Sequence, residues 1–274
     1  MNWLEHLEPQ NRTRHIARLK KKTRRLLARP VPSTPVFLFG KQRSGTTMLM
    51  TAFHFHPDTE VFDEHGNNKA FLDFRIRSLD TLAELVKKSK APVVCFKPIS
   101  DSHLIQDFAR AFPEGRFIWI YRDYRDSAAS ALRKFPHATR AIKLICEGKE
   151  GGGWFQESVS EENINILQDV YKAPLSEFDL ACLVWWARNK LFTETKVSSL
   201  PHWLLLKYEP LVTEPRQVFD QVFDFIGLPH HEDAYQFVHS DSIKRHEHPD
   251  LNPEVANLCD TLTQELDELF STQS

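Results

Sequence analysis

The sequence has few cysteines that could form disulfide bonds and no long apolar run that could anchor it in a membrane. Among its 274 residues there are only four cysteines, none in a C-x-x-C pair: Cys95, Cys146, Cys182 and Cys259. This pattern excludes a disulfide framework and a cysteine-based zinc site. No stretch approaches the roughly 20 apolar residues of a membrane span, and the N-terminus lacks the apolar segment of a secretion signal. We therefore expect buried, reduced cysteines in a soluble cytoplasmic protein.

The chain also lacks a strong excess of charge of either sign. Its formal net charge is -2, and hydrophobic residues make up 41% of it. This balance excludes a surface built for nucleic acid, and any site for an anion must be a local concentration of cations. The composition and length predict one sizeable globular unit.

Basic residues are concentrated near the N-terminus. The segment 18–29, RLKKKTRRLLAR, has seven cations in twelve positions, with leucines at helical spacing. The proline-rich stretch RPVPSTP that follows cannot continue a helix. We expect residues 1–34 to form a basic helical arm, either solvated or in peripheral contact with an anionic surface or partner, and residues 35–274 to form the main domain.

Short apolar runs, each followed by a helical pattern, predict the core of the main domain. The runs are Val36–Gly40, Pro92–Lys97, Arg116–Tyr121 and Trp203–Tyr208. This alternation predicts an α/β fold in which a central parallel sheet is flanked by helices.

Two further segments of the main domain carry distinct patterns. Residues 147–163 look irregular, with three consecutive glycines beside Trp154 and Phe155. We expect residues 136–163 to be a mobile insertion at an acceptor site, with plain disorder as the alternative. Asn252–Phe270 is expected to be a packing helix that begins at Asn252 and Pro253.

The stretch FLFGKQRSGTTML, Phe37 to Leu49, places a glycine-bounded loop between a predicted strand and a predicted helix. Such a loop directs backbone N–H groups and a helix N-terminus at one point, which suits a phosphate or sulfate group. The phosphate loop of ATP and GTP enzymes has a lysine after its second glycine, where this chain has Thr46. Its cations, Lys41 and Arg43, precede that glycine instead. The pattern therefore disfavours ATP hydrolysis. The alternative to an anion-binding loop is a glycine-threonine turn that binds no ligand.

A second strand, turn and helix follow in FIWIYRDYRDSAASALRKF, Phe117 to Phe135. Arg122 and Arg125 lie in the turn, and Ser130 and Lys134 lie on the helix. A guanidinium group and a hydroxyl group suit a terminal phosphate, although adjacent Arg–Asp pairs also fit ordinary surface salt bridges. Together the two loops indicate a ligand with two separate anionic ends.

With these motifs the chain resembles the sulfotransferases that use 3′-phosphoadenosine 5′-phosphosulfate (PAPS). GKQRSGTT resembles their 5′-phosphosulfate loop and YRDYRDSAAS their 3′-phosphate segment, with Arg122 and Ser130 at the family's spacing of eight. The likeness covers about residues 36 to 230 and is closest to the glycan and tyrosylprotein branch, because Arg43 stands where many cytosolic members carry lysine. It implies the P-loop NTPase-like sulfotransferase fold, PAPS as co-substrate and 3′,5′-ADP (PAP) as product, with no metal required.

The resemblance also implies roles for individual residues. Arg43 and Lys97 would stabilise developing charge, and Glu64, which follows Arg43 by 21 residues, would be the general base. The rivals of Glu64 are its neighbours Asp63 and His65, followed by His54 and His56. The implied cofactor-binding residues are Lys41, Gln42, Arg43, Ser44, Gly45, Thr46, Thr47, Arg122, Ser130, Lys134, Tyr208, Lys244 and Arg245. Tyr208 is alternatively a core residue, and Lys244 and Arg245 are alternatively exposed cations.

The acceptor is less constrained than the donor, since fold and donor motifs do not set acceptor identity. A sugar hydroxyl on a glycan is favoured over a phenol, a tyrosyl peptide or a small alcohol. Two other classes are carried as alternatives: a catalytically idle nucleotide-binding or scaffold protein, and a P-loop kinase, which the absence of a lysine after Gly45 disfavours. The histidines of LPHHED and RHEHPD match no closed metal site, so no metal is expected.

Overall fold

A parallel sheet forms the centre of the computed structural model, which describes residues 32–65, 67–239 and 248–273. The strands are β1 (Thr34–Gly40), β2 (Thr59–Phe62), β3 (Phe71–Leu72), β4 (Arg75–Ile76), β5 (Val93–Phe96), β6 (Arg116–Tyr121) and β7 (Trp203–Lys207). The main sheet has the order β2-β5-β1-β6-β7, and each neighbouring pair in it is parallel. The short strands β3 and β4 form a separate antiparallel hairpin.

Helices connect these strands and cover the sheet. They are α1 (Thr46–Phe55), α2 (Leu79–Lys88), α3 (Ile105–Ala111), α4 (Tyr124–Lys134), α5 (Arg140–Cys146), α6 (Gly153–Glu157), α7 (Glu161–Val170), α8 (Glu177–Glu194), α9 (Tyr208–Thr213), α10 (Pro215–Ile226) and α11 (Pro253–Ser271). Short 3-10 turns occupy Ile99–Leu104, Val197–Ser199 and Glu232–Ala234. The predicted α/β fold with a helix-flanked parallel sheet is confirmed.

Both faces of the sheet are buried, because successive side chains of a strand point to opposite faces. On β1, Phe37 and Phe39 pack into one hydrophobic cluster, whereas Val36 and Leu38 pack into the other. This double burial explains why the strands read as continuous apolar runs. The edge strand β2 was not predicted, since its sequence TEVF is short and carries Glu60.

The segment expected to be irregular contains regular structure. Helix α6 lies within it, and α7 begins there because the Ser160 hydroxyl accepts a hydrogen bond from the Asn163 backbone N–H. The predicted C-terminal helix is present as α11, and the Asn252 side chain caps it by accepting from Glu254 N–H. All four cysteines are free and buried. Residues 1–31 of the expected basic arm lie outside the described residues.

Within the described residues, no helix combines the length and the apolar character needed to cross a membrane.

Candidate active site

The loop after β1 has a backbone that only glycine tolerates at its two ends. Gly40 has φ +133°, and a Cβ there would lie 2.3 Å from the Ile120 carbonyl oxygen. Gly45 has φ +95°, and a Cβ there would lie 2.6 Å from the ring of Tyr208. Both positions therefore combine a left-handed conformation with a close approach. The loop lies tightly against β6 and against the start of α9.

Side chains of this loop contact α4, which carries the second predicted anion motif. Arg43 has φ +74°, an uncommon value for a residue with a side chain, and its Nε donates to Ser130 Oγ at 3.0 Å. Lys41 is buried, and its Nζ donates to Ser127 Oγ at 3.1 Å. The two motifs, 87 residues apart for Arg43 and Ser130, are thus neighbours in space.

The same loop presents a hydroxyl group that no described residue uses. Ser44 is fully buried, and its Oγ has no hydrogen-bond partner among the described residues. Helix α1 begins after Gly45, and within the part of the chain that the structure describes it has neither a side-chain cap nor an acidic residue in its first turn. Thr46 is buried and Thr47 is exposed at this N-terminus. An uncapped helix N-terminus beside an unpartnered buried hydroxyl fits an anionic group.

Arg122 lies where the predicted 3′-phosphate site begins. It is 6% exposed, and its guanidinium group is 4.3 Å from the centroid of the Tyr208 ring. Its Nη2 also lies 3.3 Å from Asp126 Oδ2. The adjacent Asp123 does not pair with it in a surface salt bridge but caps α4, accepting from Asp126 N–H. Tyr208, the first residue of α9, therefore supports Arg122 as well as lying against Gly45.

The remaining residues predicted to bind the cofactor are more exposed than Ser44 and Arg122 or lie outside the described residues. Gln42 is half-buried in the loop, and Lys134 is exposed at the end of α4. Arg125, the second arginine of the turn, lies over the Tyr124 ring at 4.3 Å. Lys244 and Arg245 lie outside the described residues.

Glu64, the predicted base, is buried just after β2, beside Lys97, which follows the neighbouring strand β5. Lys97 Nζ lies 2.9 Å from Asp63 Oδ1 and 3.7 Å from Glu64 Oε1. Glu64 is 2% exposed, and none of the described residues forms a hydrogen bond with its Oε2. Burial raises the pKa of Glu64 to about 7, although the charge of Lys97 opposes this change. A carboxyl group with such a pKa and a buried oxygen without a protein partner among the described residues suits proton transfer near neutral pH.

The rivals of Glu64 are in different surroundings. Burial favours a higher pKa for Asp63, but the charge and hydrogen bond of Lys97 outweigh it, so the pKa of Asp63 lies below its usual range. His65 is exposed, with its ring against Phe74. His56 is buried, with Nε2 at 2.9 Å from the Pro229 carbonyl oxygen and Nδ1 accepting from Asp58 N–H. His54 is half-buried on α1.

Arg188 on α8 is a charged residue that sequence reasoning missed. It is 1% exposed, and it donates to Ser158 Oγ and Ser102 Oγ, each at 3.1 Å, and to the Ile99 carbonyl oxygen. The Ile99 backbone also forms a hydrogen bond with Glu64, and the charges of Glu64 and Arg188 act on each other. Arg188 therefore holds the backbone segment that contacts the base. Its stretch, VWWARNKLF, reads as a buried helix, and a lone arginine within it is the only signal.

One group of carboxylates and a histidine resembles a cation site. Ligand atoms of Asp123, Asp126 and His248 lie within 4.8 Å of one another. Each carboxylate already has a partner, since Asp123 caps α4 and Asp126 faces Arg122 on one side and His248 Nε2, at 3.1 Å, on the other. These contacts account for the cluster without a metal.

Comparison with known proteins identifies related sequences and folds. A profile described as the sulfotransferase domain matches residues 33–248. No curated protein sequence matches the chain significantly. Among solved structures, the sulfotransferase domain from the curacin biosynthetic pathway is 18% identical with a TM-score of 0.52, and the alignment covers 86% of this chain and 99% of that one. A sulfotransferase from Alicyclobacillus acidocaldarius is 18% identical with a TM-score of 0.51, covering 88% and 97% respectively.

Proposed function

This chain belongs to the sulfotransferase domain family, and we propose on that premise that it transfers the sulfuryl group of PAPS to an acceptor hydroxyl group. The observation that carries the proposal is the contact of Arg43 with Ser130, because it brings the two predicted anion motifs within reach of one ligand. Arg43 together with a glutamate base places the enzyme, in this proposal, nearest the glycan and tyrosylprotein branch.

The residues around the loop fit the two anionic ends of PAPS. The uncapped start of α1 and the unpartnered Ser44 hydroxyl support binding of the 5′-phosphosulfate, together with Lys41, Gln42, Arg43, Gly45, Thr46 and Thr47. Arg122 and Ser130 suit the 3′-phosphate, with Tyr208 as a support for Arg122 and Lys134 at the exposed end of α4. Lys244 and Arg245 stay predicted contacts.

In the proposed reaction PAPS supplies an electrophilic sulfur atom. The acceptor oxygen bonds to sulfur as the bond from sulfur to the phosphate oxygen breaks, and the negative charge leaves with PAP. Glu64 accepts the acceptor proton at Oε2, while Arg43 and Lys97 stabilise the transferred and departing oxygens. These fixed cations perform this role without a metal ion.

The acceptor belongs to one of several classes of hydroxyl compound. The sequence favours a carbohydrate, with a phenol, a tyrosyl peptide and a small alcohol as alternatives. Transfer from radiolabelled PAPS to a panel of methyl β-glucoside, 2-naphthol, a tyrosyl peptide and ethanol tests the reaction. Labelled product without added Mg²⁺ supports sulfotransfer and contradicts a kinase. Tight PAP binding without transfer to any member favours the alternative of a catalytically idle nucleotide-binding protein.

Replacing Arg122 with alanine is expected to weaken PAP binding. A charged hydrogen bond to phosphate contributes about 1.5–3 kcal/mol, so the Kd should rise by at least about tenfold. Calorimetric titration of PAP measures this change. Arg125→Ala is the matched control, because Arg125 is only three residues away, in the first turn of α4, but is directed at Tyr124 and Asp260. Equal affinities of Arg122→Ala and the wild type for PAP would contradict the assigned phosphate site.

The acidic limb of the pH–rate profile should reflect the ionisation of Glu64. Glu64 must be ionised to accept a proton, so kcat should fall as pH drops below about 7, the pKa to which burial raises it. The charged groups that act on Glu64 are Lys97, Asp63 and Arg188, of which Arg188 and Lys97 lower its pKa. Removing the positive charge in Arg188→Met should therefore move this midpoint to higher pH.

Arg188→Lys is the matched variant, because it keeps a positive charge on α8. It should preserve the midpoint of the pH profile even where the rate falls from altered packing. If Arg188 had a purely structural role, Arg188→Met would have lower activity but the pH midpoint of the wild type. An unshifted midpoint in Arg188→Met would therefore contradict the role of Arg188 in positioning the base.

A further inference from the structure

A cleft of about 280 Å³ opens directly beside the loop after β1. Its walls come from four parts of the chain: Lys41 and Gln42 of the loop, Phe135 after α4, Trp154 and Phe155 of α6, and Val184 of α8. Gln42 immediately precedes Arg43 in the chain. The cleft thus borders the loop to which the proposed function assigns the phosphosulfate.

One aromatic side chain of the cleft contacts Arg188, the arginine beside the proposed base. The ring of Trp154 lies 5.1 Å from the guanidinium carbon of Arg188. Arg188 in turn holds the Ile99 segment that contacts Glu64. A molecule in the cleft would therefore contact the phosphosulfate loop at Lys41 and Gln42 and, on another wall, the aromatic ring that lies against Arg188.

The chemistry of the lining is mainly apolar. Aromatic and aliphatic side chains dominate it, and its described lining includes no carboxylate. Its polar side chains are Gln42, His137 and Lys41, of which Lys41 already donates to Ser127. Such a surface has few partners for the several hydroxyl groups of a sugar ring, and each group left unpaired costs about 1–3 kcal/mol. An apolar ring instead gains about 25 cal/mol for each Å² that it buries.

We propose that this cleft binds the acceptor, and that the acceptor is a phenol or cyclic alcohol with an apolar body of about one or two rings. This inference rests on the proposed sulfotransfer and narrows its acceptor. Phe135 lines the cleft and is 41% exposed, so part of its side chain is available to contact an acceptor.

Binding measured by calorimetry tests the cleft without requiring turnover. The full chain saturated with PAP is titrated with 2-naphthol and, separately, with methyl β-glucoside. We expect 2-naphthol to bind at least about tenfold more tightly than the glucoside. Tighter binding of the glucoside, or no binding of 2-naphthol at millimolar concentration, would overturn the inference. Failure to bind PAP would contradict the donor site instead, and titration without PAP would still rank the two probes.

A variant that narrows the cleft locates the binding. Ala141 is half-buried at the start of α5 and lines the cleft, so Ala141→Leu adds volume inside it. The Kd of 2-naphthol should rise by about tenfold or more, whereas that of the smaller phenol should change less. Ala109→Leu, at a half-buried position on α3 outside the cleft, is the control. Unchanged 2-naphthol affinity in Ala141→Leu would place the acceptor elsewhere.

Discussion

Glu64→Gln is expected to reduce kcat by a factor on the order of 10² to 10⁴, the range that a general base contributes. Glutamine has nearly the same shape as glutamate but cannot accept the proton. Lys97 loses its longer ion pair with Glu64, at 3.7 Å, but its shorter pair with Asp63, at 2.9 Å, should persist. PAP affinity should therefore stay near the wild-type value. The measurement is the rate of transfer from radiolabelled PAPS to whichever panel acceptor is turned over.

Two further variants make the Glu64 result specific. Glu114→Gln changes an exposed glutamate in the turn before β6 and should leave kcat and PAP affinity unchanged. Asp63→Asn should reduce kcat less than Glu64→Gln. Lys97 lowers the pKa of Asp63, and the role of Asp63 is to form an ion pair with that lysine and not to accept the proton. If Asp63→Asn lost more activity than Glu64→Gln, the base would have to be reassigned to Asp63.

The fold was readable from the sequence wherever local pattern and tertiary burial agree. Strands β1, β5, β6 and β7 are continuous apolar runs because helices bury both of their faces. The edge strand β2 lacks this signal, since it pairs with the sheet on one side only. Residues 153–157 also escaped prediction, because a helix that begins in a glycine run has no propensity to mark it.

The candidate site could be predicted where residue spacing carries the chemistry. The glycine and cation pattern predicted the loop of Arg43, and the segment after β6 predicted Arg122 and Ser130; the structure brings Arg43 into contact with Ser130, and the roles of all three stay predictions. The arrangement around the base was not readable, because it depends on side chains distant in sequence. Arg188 is 89 residues from Ile99, whose carbonyl oxygen it contacts. An arginine in an apolar helix indicates a buried polar site only when the residues that it contacts are known, because charged residues are rarely buried without partners.

The electrostatics of the loop give a positive local field in a chain of net charge -2. Burial lowers the pKa of Lys41 to about 7, and the neighbouring charges of Arg43, Arg188 and Arg122 act in the same direction. A bound anion would relieve this repulsion and favour the protonated form of Lys41. The loop is thus suited to a highly charged donor, and its most exposed cation, Arg43, is the one that faces the ligand in the proposed reaction.

Arg43→Ala should lower kcat by a factor on the order of 10² to 10³, as expected for loss of a group that stabilises transition-state charge. PAP affinity should fall less, because Arg122 and the α1 N-terminus still bind the two anionic ends. Arg43→Lys should recover part of kcat, since it restores charge without the planar guanidinium that reaches Ser130. Arg110→Ala, an exposed arginine on α3, is the control for charge loss. Equal losses of kcat in Arg43→Ala and Arg110→Ala would contradict a catalytic role for Arg43, whereas equal losses of PAP affinity and kcat would assign it to binding alone.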